Sequence, residues 1–185
     1  MEIKITTPQL LKVLQLLSWI VFIGLCVEAG EIIVNAVITL TIHPPGVANF
    51  WKGAAYLSGL YSFDKGYFMV IVLIMSIVAV LKALMFYLIV KLFSERKLNI
   101  SHPFNPELRK FILNLSCITL GISLFSHAGL KYATWLAKQG GSIPDLQALH
   151  FVGADIWLFM AIVLFVIVQI VKRGIELQTE NDLTI

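Results

Sequence analysis

Glu28, Glu31, His127 and Asp155 are the residues of this sequence best suited to chemistry, because each lies within or at the rim of a long apolar run. Carboxylates grouped with an imidazole can hold a divalent cation or relay protons. Ionisable side chains in lipid are costly, so those inside an apolar span are candidates for function. Counted from the flanking cations at about 1.5 Å per helical residue, Glu28 lies about 24 Å from Lys12. His127 lies about 26 Å from Lys110, and Asp155 about 26 Å from Lys172. Three segments thus bring an acid, an imidazole and a second acid to nearly one depth. Gly24, Glu28, Glu31 and Asn35 follow helical spacing and share a face, as do Ser116, Thr119, Ser123, His127, Lys131, Thr134 and Lys138. A polar stripe of that length is expected to face a bundle interior or a wet crevice. Lys82, about 14 Å from Lys91, falls near mid-membrane and needs an acid partner; Glu28 is nearest in depth, with snorkelling as the alternative.

These residues allow three readings. They form an outward-facing pocket for a cation or other ligand, they pair with one another to fix helix register, or they sit above the hydrocarbon edge in water. No HExxH or similar local motif specifies a metal, and no cofactor is implied. His127 with Asp155 or Glu28 could serve as a general base. However, no nucleophile elbow, phosphate loop or metal-hydrolase motif accompanies them, so an enzyme is not expected.

The elements that position these residues follow from composition. Of 185 residues, 58% are hydrophobic and 14% charged, against about a quarter charged in soluble domains. The mean hydropathy is +0.87. A bilayer can accommodate such a chain, and four runs are each long enough to cross it as a helix. The spans are expected at about 13–36, 67–93, 109–137 and 151–173 in a single membrane domain, followed by a tail over 174–185. The first run is too long for a signal-peptide core and lacks a clear cleavage site, so it is read as a retained helix. Nine of the 14 Lys and Arg fall in the N-terminal segment, the second connection and the tail. Four lie on the other side, and Lys82 lies within a span. This asymmetry predicts an all-α four-transmembrane-helix bundle with both termini cytoplasmic. The first outer connection breaks at Pro44–Pro45–Gly46 and is rich in aromatics, predicting a short interfacial helix or a lid. Cys26 and Cys117 lie in apolar runs and are expected to be small buried hydrophobes.

The cytoplasmic side carries its own pattern. Asn105 and Pro106 suit a helix N-cap and first residue, with Glu107 in the first turn. Glu176, Glu180 and Asp182 give the tail an acidic character. If the fourth helix continues, these acids can dock on Arg96, Lys97, Arg109 or Lys110, each exposed pair contributing about 0–1 kcal/mol. Such docking is weak enough to be displaced by a partner. A solvated tail is the plainer alternative.

The ending RGIELQTENDLTI resembles the C-terminal signature of a bacterial membrane family catalogued as domain of unknown function 2975. ERKLNISHPFNPE resembles its second connection, particularly at His102, Pro103 and Phe104; Pro106 shifts the acidic start that usually follows. The resemblance implies a four-span bacterial inner-membrane protein without an established activity. Such members are often encoded beside a small Cro-type helix-turn-helix DNA-binding protein, implying a membrane partner of a transcription regulator that does not itself bind nucleic acid. Two main functions follow. One is an interaction protein that holds or releases that regulator. The other is a small transporter or ion-binding protein using the outer Glu/His/Asp pocket, with a cation or lipid as ligand.

Overall fold

The computed structural model describes residues 7–42, 55–94, 104–139, 149 and 151–182. They form five helices: α1 (Thr7–Thr41), α2 (Ala55–Phe63), α3 (Lys65–Ser94), α4 (Pro106–Lys138) and α5 (Ala154–Asp182). Four of them, α1, α3, α4 and α5, are long and apolar enough to cross a membrane. Each exceeds its apolar stretch at one or both ends. The local start signals act as their chemistry dictates. Asn105 Oδ1 accepts from the Leu108 amide at 2.6 Å, and Pro106 opens α4 without a wasted donor. Asp64 Oδ1 accepts from the Gly66 and Tyr67 amides at 2.6 and 3.1 Å, starting α3 directly after α2.

The long helices run in the spatial order α1, α3, α4, α5. Among the described residues α1 packs on α3, α3 on α4 and α4 on α5, whereas α1 meets neither α4 nor α5. The arrangement is therefore an open row, where a closed bundle would also join its first and last helices. On α1, Leu11, Gln15, Ser18, Phe22, Leu25, Ala29, Ile32, Ala36 and Thr39 are buried or half-buried. They alternate steps of four and three, the narrow seam of a helix with one partner. The main core joins Ile32 of α1, Leu57 and Leu60 of α2, Phe68, Ile71 and Met75 of α3, and Ile122 and Leu136 of α4. A smaller cluster of Ile112, Val168 and Val171 closes the opposite end of the α4–α5 hairpin.

Most remaining apolar side chains face outward, including Val27 at 65% and Phe159 at 64% exposure. An apolar exterior around helices of this length is the surface that lipid covers. Cys26 and Cys117 are on this exterior and not in the core. Among lipid-facing positions a thiol is just another small apolar group, so membership of an apolar run does not imply burial. The short helix in the first connection exists as α2. Its Tyr56, Leu57 and Leu60 insert into the protein core against α3.

Candidate functional site

His127 and Asp155 border one cavity of about 280 Å³, with Leu130, Phe151 and Gly153 in its wall. Both side chains are exposed. Asp155 sits in the first turn of α5, where a carboxylate interacts favourably with the helix dipole. Its position in the sequence suggests a lone acid deep in an apolar span; the helix start makes it a favourable terminal residue. Gly153 precedes it with φ +84°, a left-handed turn that folds the chain onto α5. Phe151 lies over Gly129, so closely that a Cβ there would come within 2.6 Å of the ring.

Glu28 and Lys82 are not among the residues that line this cavity. Lys82, half-buried on α3, feels the charge of Glu28 on α1, which is also half-buried. Glu31 is exposed on α1. Because α1 packs only on α3 among the described residues, the five candidates divide between Glu28, Glu31 and Lys82 on one side and His127 and Asp155 on the other. Among the described residues no three His, Cys, Asp or Glu side chains lie close enough to hold a metal ion.

The polar stripe of α4 also divides. Ser116, Thr119 and Ser123 are buried, whereas His127, Lys131, Thr134 and Lys138 are exposed. Ser123 Oγ donates to the Ala154 carbonyl at 2.7 Å, and Ser116 Oγ to the Ala161 carbonyl at 2.9 Å. Both helices advance two turns between these bonds, so the serines repeat along an antiparallel seam. Hydroxyl-to-carbonyl bonds and small side chains are the means by which helices associate in lipid. Sequence spacing marks this face as polar without revealing that its partners are backbone carbonyls.

An aromatic group joins the first turn of α3 to the last turns of α4. Tyr67 meets Tyr132 edge-on at 6.4 Å and Trp135 at 5.9 Å, while Tyr132 stacks on Trp135 at 5.8 Å. Lys65 Nζ lies 5.5 Å from the Tyr61 ring centre. The two Tyr67 contacts join different helices and leave no local sequence signal, whereas Tyr132 and Trp135 are one turn apart on α4.

At the opposite end, Phe104 covers Gly174. A Cβ on Gly174 would come within 2.8 Å of the ring, so glycine is required for this close approach. Beyond it α5 continues unbroken to Asp182. Glu176 is engaged within its own helix, by Arg173 at 3.0 Å and Lys172 at 4.0 Å. Of the three tail acids expected to dock on the loop, Glu176 thus has pairs within one turn of its own helix. Glu180 is exposed; Arg109 and Lys110 are exposed in the first turns of α4. Arg96 and Lys97 lie outside the described residues, as does the side chain of Asp182.

No curated protein and no solved structure matches this chain. A family described as Protein of unknown function (DUF2975) matches residues 52–185. That stretch contains both halves of the Phe104–Gly174 contact, the α4–α5 seam and three of the four long apolar helices. By a match over most of its length, this multi-pass membrane chain belongs to that family.

Proposed function

We propose that this is a non-enzymatic regulatory protein of the bacterial cytoplasmic membrane, with both termini inside, whose cytoplasmic end holds a small helix-turn-helix regulator. The observation carrying this reading is the Phe104–Gly174 contact. It packs the segment before α4 against the start of the tail, making one surface from two distant stretches. From that surface α5 projects as a helix bearing Glu180 and ending at Asp182. A DNA-binding partner presents cations to phosphate, and an exposed acidic helix end complements such a surface. The excess of Lys and Arg at this end supports the cytoplasmic orientation.

Co-expression of the regulator with the full chain, followed by purification in detergent, tests this reading. The regulator should co-purify with the wild type and be lost when residues 174–185 are deleted. Gly174→Val, which displaces the Phe104 ring, should weaken retention while the helix content stays unchanged. Absence of any association with the wild type rejects the proposal.

The shared cavity of His127 and Asp155 favours a second reading, an ion-binding or transport role. It would run on these two residues alone, since Glu28 and Glu31 lie on a helix that does not pack against theirs. Unchanged cation binding or flux in His127→Ala and Asp155→Asn would exclude it.

A further inference from the structure

We propose that the cleft between the last turns of α3 and the first turns of α4 binds the headgroup phosphate of an anionic phospholipid. The cleft has a volume of about 350 Å³. On α3 it is lined by Leu88, Lys91 and Leu92, which share one helix face. On α4 the lining residues Glu107, Lys110, Phe111 and Asn114 also share a face. Lys91 and Lys110 therefore approach one space from two helices. Each sits about one turn from its helix end.

The cleft combines cationic, amide and apolar groups. Two ammonium groups and the Asn114 amide can donate to phosphate oxygens. Leu88 and Phe111 add apolar surface facing the same space, suited to the first carbons of an acyl chain. With Glu107 the described lining residues carry a net charge of one positive unit, matching a phosphodiester. The Glu107 carboxylate can also accept from a headgroup hydroxyl, and the two lysines favour a net-negative glycerol headgroup over a zwitterionic choline one, whose cation they repel. Basic pockets between transmembrane helices hold anionic lipid heads by the same combination of charge and apolar contact. A free phosphate would use the donors and leave the apolar wall uncovered. The proposal is independent of the regulator.

The test is native mass spectrometry of the full chain, released from detergent after incubation with phosphatidylglycerol or phosphatidylcholine. The wild type should retain phosphatidylglycerol preferentially. Lys91→Gln with Lys110→Gln should weaken retention about thirtyfold, the loss expected of two lysines near a membrane surface. Removing equal charge at the other end, by Lys131→Gln with Lys138→Gln, should leave it unchanged. Lys91→Arg with Lys110→Arg should keep it. If the double glutamine variant does not fold, Asn114→Asp supplies the same test by adding a carboxylate to the cleft. Equal retention of both lipids, equal loss at both ends, or displacement by millimolar inorganic phosphate would each overturn the assignment.

Discussion

The α4–α5 seam and the α1–α3 seam join equally oily helices by different means. Along α4–α5, two serines donate across the interface, and Gly129 and Gly174 admit aromatic rings against the backbone. Along α1–α3 the contact is largely apolar, with Glu28 and Lys82 coupled by charge. Ser18 of α1, although buried, donates to Leu14 of its own helix. Only 6% of the apolar stretch of α1 is buried in protein, against 39% for α3. Apolar surface gives no preference for protein over lipid inside a bilayer, so polar bonds and close fit must supply specificity there. The hairpin has both, whereas α1 depends on a narrow seam.

Cutting into the fit of the hairpin should have the largest effect. Phe151→Ala removes a fully buried ring from between α4 and α5 and should destabilise the protein by about 3–5 kcal/mol, read as a fall in thermal unfolding midpoint in detergent. A midpoint equal to the wild type would show that the ring contact does not hold the hairpin. Comparing serines across the two seams gives a smaller and sharper effect. Ser116→Ala with Ser123→Ala should cost about 0.6 kcal/mol per bond. Ser18→Ala, which breaks only a bond within its own helix, should change little. Similar costs for both would remove the distinction between the seams.

The smallest expected effect concerns α2, which packs on α3. Burial holds the Tyr56 phenol above its usual range, with the neighbouring Tyr132 adding to the shift. The folded state then resists deprotonation that the unfolded chain undergoes near pH 10. Tyr56 should therefore contribute stability below that pH and lose it as pH rises further. Unfolding midpoints followed from pH 8 upward should show an alkaline decline that Tyr56→Phe reduces. The same decline in the variant would assign it to other groups.

The four long helices were legible because runs of apolar residues long enough to span a bilayer have few other uses. The Asn105 cap was legible because its signal is local: a short acceptor side chain followed by proline. The order of packing was not. In water, an apolar stripe identifies the buried face, but in lipid the outward faces of α1 and α5 are as apolar as the packed ones and the stripe disappears. Depth counting put His127 and Asp155 at one level, and they do border one cavity. The same counting put Glu28 there too, yet depth carries no information about which helices are neighbours. Asp155 was read as an acid within a span because the start of α5 depends on the Gly153 turn, whose conformation the sequence does not announce.

The continuity of α5 from Ala154 to Asp182 has a mechanical consequence. Span and tail share one axis, so a bilayer that thins and tilts the span must swing the projecting tip in the opposite direction. Phe104 seated on Gly174 lies where such a lever would bear on its fulcrum. A slack joint at that point would absorb the motion; a straight rod delivers it to whatever grips the end.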